Sequence, residues 1–422
     1  MRNLVLYGLA SGFSRGGMFL ILPVLASFMS IADYGQFSLY IIIVQLLIPF
    51  ISINISSIIG REVYERFRTA LFFTAFFNRI AFVISLGCIL VYCWVPQYFL
   101  LIIIYAFWEA IFLLVTTTVR FRSSAYNYFI LCMSKMVLLI ALLALLYFYH
   151  ADLLARVDVL LIVFAVSNTV VIIPYIKITF GIKVSTCAMF RKISAQKAII
   201  LFALGILPHT VAQWVTSGSD RFFVKYFGGN EMLGYYSFSY AVAAIYMIIN
   251  SSLALGIPQI CVKSFHFFST RKFYLSFFSA VTVLWFGTVL TINIVLYYLK
   301  LKYNLGDIFW VIYSILTGLY FLSFYYYYSS YLFYDRQARQ LSGITIMTAI
   351  VNIGLVVILT PLLGMLGTAL STTISYFVYS FVTYQKVIRQ HPNVLGLLYP
   401  TLFVFFLTVI IMLLIKLTDF LN

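Results

Sequence analysis

The chain has 422 residues, of which 64% are hydrophobic and 9% charged, with a formal net charge of +16 and a mean hydropathy of +1.06. That composition excludes a soluble globular protein, and its long continuous apolar runs exclude a barrel of short alternating strands. Lipid leaves only helices to satisfy the backbone of such runs, so an all-α integral membrane protein is expected. The positive charge does not read as a nucleic-acid footprint, because no basic domain lies outside the apolar segments. Membrane lipids with anionic headgroups account for the surface charge.

Apolar runs bounded by charge, Gly or Pro predict spans at 5–29, 37–60, 70–93, 98–119, 127–149, 158–177, 198–227, 233–257, 274–299, 308–333, 340–360 and 364–385. A further hydrophobic run, 396–416, follows. Met1-Arg2-Asn3 enters the first span without a small-residue cleavage site, which predicts no removable leader. A cytoplasmic N-terminus places Arg61, Arg66, Arg68, Arg120, Arg122, the basic stretch 177–197, Lys263, Arg271, Lys272, Arg336, Arg339, Lys386 and Arg389 inside. The outer loops between the first twelve spans carry only Arg156, Lys300 and Lys302, and this bias sets the orientation. The loops are too short for a soluble catalytic domain, and no Gly-rich phosphate loop is present. Cys88, Cys93, Cys132, Cys187 and Cys261 are scattered and odd in number, which fits neither a disulfide framework nor a metal site.

The sequence echoes itself. Ala32-Asp33-Tyr34-Gly35-Gln36-Phe37-Ser38 leads into the second span, and Met232-Leu233-Gly234-Tyr235-Tyr236-Ser237 leads into the eighth. Gly35 and Gly234 are 199 residues apart, as are Ser38 and Ser237. The echo predicts two pseudo-symmetric six-helix bundles around a central cavity, related by an axis along the membrane normal. The halves are 1–177 and 198–385, joined by a basic cytoplasmic linker, 178–197. Residues 386–422 form a cytoplasmic segment and an additional hydrophobic helix.

Several motifs carry a resemblance. They are the Asp33-Tyr34-Gly35 turn, Ser219-Asp220-Arg221 late in span 7, Gly228 through Tyr235, and Pro361-x-x-Gly364-x-x-Gly367-x-Ala369. Across roughly residues 1–385 the chain resembles the polysaccharide-export branch of the multidrug/oligosaccharidyl-lipid/polysaccharide superfamily, most closely the Wzx-type O-antigen flippases. The extra hydrophobic run departs from the common twelve-span pattern. The resemblance implies a multi-pass protein of the bacterial inner membrane. Its cargo would be an undecaprenyl-diphosphate-linked oligosaccharide moved from the cytoplasmic to the periplasmic leaflet. A polysaccharide polymerase and chain-length proteins would be its partners in polysaccharide biosynthesis.

Five cations, Arg15, Arg79, Lys135, Arg221 and Lys225, lie within predicted spans, against the acids Glu109 and Asp220. A cation at the bilayer centre costs roughly 2.5–3.5 kcal/mol on insertion scales, so such residues mark function by default. Their excess points to an anionic cargo, and these five are the candidate substrate-binding residues. Arg suits a diphosphate because its planar fork bonds phosphate oxygens bidentately. On span 7, His209, Gln213, Thr216 and Asp220 form one stripe above a kink at Pro208, expected to face the gap between the halves. The competing reading has Asp220 and Arg221 pairing to fasten helix ends, and Lys225 snorkelling. Glu109, Asp220, His209 and Gln213 are the gating or ion-coupling candidates. Glu109 is expected to exchange a proton unless Arg79 or Lys135 approaches it, and Asp220 to stay ionised and hold the outer gate. The aromatic run Tyr320 to Tyr334 reads as a headgroup belt in preference to a sugar-stacking wall.

No nucleophile–base pair or metal cluster is apparent, so the expected protein is a transporter and not an enzyme, with no cofactor and no nucleic-acid partner. A proton or sodium gradient, or removal of product by polymerisation, would drive it. A multidrug antiporter of the same fold predicts an acidic cavity, and a membrane polymerase or glycosyltransferase needs a large outer loop. An ion channel is disfavoured by the two-half repeat. The orientation predicts that Gly229→Cys is labelled by an impermeant thiol reagent added outside intact cells; labelling only after lysis would invert the topology.

Overall fold

The computed structural model describes residues 21–57, 67–94, 98–122, 125–180, 197–299, 305–404 and 407. Arg15, most of the first span, most of the linker and most of the last hydrophobic run lie outside these residues. The long helices of the first half are α1 (Ile31–Ile51), α2 (Phe67–Trp94), α3 (Tyr98–Arg122), α4 (Ala125–Tyr149) and α5 (Val157–Phe180). Those that follow are α6 (Lys197–Gly218), α7 (Asp220–Ala243), α8 (Met247–Lys263), α9 (Arg271–Leu299), α10 (Leu305–Tyr334) and α11 (Ala338–Ile388).

Among the described residues, nine helical stretches are long and apolar enough to cross a membrane. Two of them, Ile200–Lys263 and Arg339–Ile388, each hold two passes. The reversal in each is one glycine, Gly229 at φ 71° and Gly364 at φ 59°. That left-handed backbone costs glycine nothing because it has no Cβ. Hydrogen bonds show that the chain folds back. Tyr236 donates to Asp220, sixteen residues earlier, a pair that a straight helix would hold roughly 24 Å apart. Asn352 Nδ2 likewise donates to Ser375 Oγ at 3.2 Å. The predicted loop at 228–232 therefore shrinks to a single-residue break.

The second span starts at Ile31, not at 37, because Ser30 caps it and accepts the Asp33 amide at 3.1 Å. The Asp33-Tyr34-Gly35 turn expected from the sequence is instead the first turn of α1. Helix ends place Lys263, Arg271, Arg336, Arg339, Lys386 and Arg389 at one end of the bundle, hereafter the basic end. Gly229 and Gly364 mark the other end.

Two lobes result. In the first, α3 is central and packs against α1, α2, α4 and α5. In the second, α10 is central and packs against α7, α8, α9 and α11. A helix that is apolar on every side belongs inside such a bundle. This corrects the headgroup-belt reading: Tyr320, Phe324, Tyr327, Tyr328 and Tyr331 are fully buried core residues. Their hydroxyls are spent within the lobe, with Tyr328 donating to the Leu395 carbonyl at 2.9 Å and Tyr320 meeting Thr282 at 2.9 Å. Tyr274 adds a bond to the Gly396 carbonyl at 2.7 Å, so residues 390–397 are fastened beneath the lobe at its basic end. The chain is helical again from 398 to 404. Tyr399 packs on Phe278 and Phe403 on Trp285, two turns further along α9, so this segment climbs α9 away from the basic end.

The lobes meet along α1, which packs against α6 and α7. At the end opposite the basic end the two echoing glycines touch. A Cβ on Gly35 would lie 2.7 Å from the Gly234 nitrogen and 2.8 Å from the Asn230 carbonyl oxygen. A Cβ on Gly234 would lie 2.0 Å from the Ile31 carbonyl oxygen. Ile31 and Asn230 are themselves 199 residues apart. The contact is therefore isologous, as at a two-fold axis, and the pseudo-axis runs through it. Only residues without a side chain let two helices approach this closely.

Gly234→Ala is expected to lower the unfolding temperature in detergent, since overpacking of this kind costs about 1–3 kcal/mol. Gly287→Ala, whose Cβ would meet nothing within 4 Å, is expected to leave it unchanged or raise it slightly. Equal responses of the two variants would contradict the glycine crossing.

Candidate functional site

Two charged clusters, one per lobe, are seen inside the bundle among the described residues. The first is near the middle of α3, α4 and α5. Tyr105, Glu109 and Phe112 share one face of α3. Lys135 Nζ on α4 lies 2.9 Å from both Glu109 carboxylate oxygens. Asn168 Nδ2 on α5 donates to the same carboxylate at 2.6 Å, and the Tyr105 hydroxyl interacts with it too. The Lys135 ammonium also sits 4.4 Å from the centroid of the Phe112 ring. Lys135 is 7% exposed and Glu109 22%.

This geometry gives Lys135, a candidate substrate-binding residue, an acidic partner within its own lobe. It also removes the condition under which Glu109 would exchange a proton, since Lys135 approaches it directly. The cause is electrostatic: an ammonium and a carboxylate at bilayer depth each cost several kcal/mol alone and little of that as a bonded pair. Asn168 escaped the sequence reading. Its only signal there was a polar residue near the middle of a span, which interhelical packing explains as well as function does.

The second cluster forms where Ser219 separates α6 from α7. Asp220 opens α7, where the helix dipole favours an acid. Its Oδ1 accepts the Arg221 amide at 2.8 Å and Arg221 Nη1 at 3.4 Å, while Oδ2 accepts the Tyr236 hydroxyl. The Arg221 guanidinium lies 4.2 Å from the Tyr240 ring centroid. Asp220 is 1% exposed and Arg221 2%. Arg221 Nε is buried with no hydrogen-bond partner.

The remaining stripe on α6 does not form one polar wall. Thr216 returns its hydroxyl to the Gln213 carbonyl at 2.9 Å. Gln213 is exposed and reaches the Tyr379 hydroxyl on α11, and His209 Nδ1 is buried without a hydrogen bond. Lys225 and Arg79 are half-buried, on α7 and α2. The structure thus brings Lys135 to Glu109 and Arg221 to Asp220 in separate lobes, and does not gather these cations into one patch. Trp214 was missed by sequence reasoning. Its Nε1 donates to the Ile42 carbonyl at 3.0 Å across the lobe seam, and about three turns away along α6 the Ala203 carbonyl accepts from Asn54 Nδ2 at 3.3 Å. Among the described residues no group of three or more His, Cys, Asp or Glu could hold a metal ion.

No protein-family model matches the sequence, and no curated protein matches it. Solved structures match its fold. An outward-facing multidrug resistance MATE family transporter of the MOP superfamily aligns with a TM-score of 0.62 at 13% identity, over 92% of this chain and 95% of that one. An inward-facing one gives 0.59 at 14% identity, over 92% and 94%. A MOP superfamily transporter from Pyrococcus furiosus, described as having a binding pocket of reverse polarity that suggests a different function, gives 0.60 at 13%, over 92% and 95%. The chain therefore has the two-lobe helical fold of these membrane transporters.

Breaking one side of a buried pair costs about 3–5 kcal/mol because it strands the other charge. Lys135→Met is expected to destabilise strongly, and Glu109→Gln with Lys135→Met to recover most of the loss. Thermal unfolding of the purified variants decides; an additive double variant would show that the pair is not coupled.

Proposed function

We propose that the chain is an alternating-access transporter whose cargo is an anionic amphiphile, specifically an undecaprenyl-diphosphate-linked oligosaccharide moved between membrane leaflets. One observation carries the reading. Both intramembrane acids, Glu109 and Asp220, are already bonded to a cation of their own lobe. Neither is left to receive a cationic drug, while the predicted spans, their terminal residues aside, hold five cations against those two acids. In this reading the excess of cations over acids draws in the diphosphate, and the polyprenyl tail stays in lipid beside the lobes. The reversed pocket polarity described for the Pyrococcus furiosus protein offers a parallel on the same fold.

The same reading places the protein in the bacterial inner membrane with its N-terminus and basic end in the cytoplasm. A polymerase outside would consume the product and so drive the cycle. Membership of the Wzx-type branch rests on the motifs named above. Lys135 approaches Glu109, the very condition set against a coupling role for that residue, so coupling through Glu109 is no longer part of the scheme.

The fold's likeness to multidrug transporters makes a cationic cargo the rival, and thermal shift of the purified protein separates the two. Farnesyl diphosphate, a short polyprenyl diphosphate, is expected to raise the unfolding temperature, with uncharged farnesol and the cationic dye ethidium inert. A ligand at one hundred times its Kd stabilises by about 2.7 kcal/mol. Stabilisation by ethidium and not by the diphosphate would sink the proposal in favour of the drug antiporter.

A further inference from the structure

The pseudo-two-fold relation allows each lobe to serve as a control for the other. The 199-residue offset is fixed twice, by the Gly35 and Gly234 echo and by the exchanged contacts of Gly35 with Asn230 and Gly234 with Ile31. Applied to the second cluster, it pairs Asp220 with Ile21, Arg221 with Leu22, Tyr236 with Phe37 and Tyr240 with Ile41. All eight residues are buried. The first lobe fills the equivalent slots with apolar side chains that belong to its hydrophobic core. The fold at this position therefore needs no charge.

Apolar packing is usually at least as stabilising as a buried ion pair, so the charged version is not explained by stability. Its placement suggests what else it does. The cluster straddles the Ser219 break and the Gly229 reversal. Tyr236 lies two residues beyond Gly234, the point at which the lobes touch. Asp220 is fully engaged here, whereas Arg221 Nε is stranded. A buried donor without a partner is a cost specific to this arrangement, and another arrangement can relieve it.

We infer that Asp220, Arg221 and Tyr236 form a latch that holds the glycine crossing closed at the end opposite the basic end. The second lobe's half of that crossing is the one that rearranges when it opens, and Arg221 changes partners as it does so. The first lobe's apolar half is the fixed jamb. This inference rests on the transport reading, though not on the identity of the cargo.

Two variants push the equilibrium in opposite directions. Replacing the cluster by the first lobe's own residues, Asp220→Ile with Arg221→Leu and Tyr236→Phe, removes the stranded donor and favours the closed form. Tyr240 is kept, because its hydroxyl meets Tyr376. Tyr236→Phe alone leaves the Asp220 carboxylate short of a donor and favours the open form. Nitroxide labels at Ala32→Cys and Glu231→Cys, on opposite sides of the pseudo-axis, report the gap by pulsed electron resonance in lipid nanodiscs. Reactive native cysteines are replaced by alanine. The parent protein is expected to show a short and a long distance. The triple variant should lose about tenfold of the long population, and Tyr236→Phe should gain severalfold. A parent with one distance only would fail the transport reading itself. Two distances that neither variant shifts, or that both shift alike, would fail the latch alone. A triple variant that does not fold would contradict the claim that this slot needs no charge.

Discussion

The governing constraint is the absence of water at the bilayer core. Every backbone and side-chain polar group there must find a partner within the protein, because an unmatched one costs several kcal/mol. Association between helices gains nothing from expelling water into lipid, so close packing and polar bonds take over that role. The molecule shows this at most positions, with Arg221 Nε and His209 Nδ1 among the exceptions. Thr345 meets Tyr379 at 2.7 Å, Asn250 bonds the Leu319 carbonyl at 2.9 Å, and Trp285 Nε1 bonds the Leu316 carbonyl at 3.0 Å. The two ion pairs are the same rule applied to charges.

The two lobes answer that constraint differently. Around α3, one acid gathers an ammonium, an amide and a phenol at mid-depth, from three helices. Around α10, aromatic rings and their hydroxyls dominate, and the charges sit at a helix break near the lobe contact. A charge network inside a lobe fastens helices together. One beside the contact between lobes can change when that contact does.

The number and approximate limits of most passes were legible in the sequence, because apolar runs of 20 or more residues admit few other readings. The repeat was legible from Gly35 and Gly234, yet their role was misread. A glycine near a predicted span edge looks like a turn residue, and only the partner helix reveals that it is a contact. The aromatic run of α10 failed for a similar reason. A belt and a core helix have the same composition, and what separates them is the number of neighbours. Pairing across helices was the least legible layer. Lys135 and Glu109 are 26 residues apart, and no pattern along one chain announces that α3 and α4 set them at one depth. Asp220 and Arg221 were readable as a pair because they adjoin.

The single-glycine reversals bear on how the molecule meets its surroundings. At Gly229 and Gly364 the polypeptide turns within one residue, and helix resumes at once on either side. These hairpins are therefore nearly flush, with little slack chain for a protease to thread or for an antibody or a virus to grip. Whichever compartment they face, these two hairpins present a smooth surface, unlike the connection at 150–156, where His150, Ala151 and Asp152 are exposed.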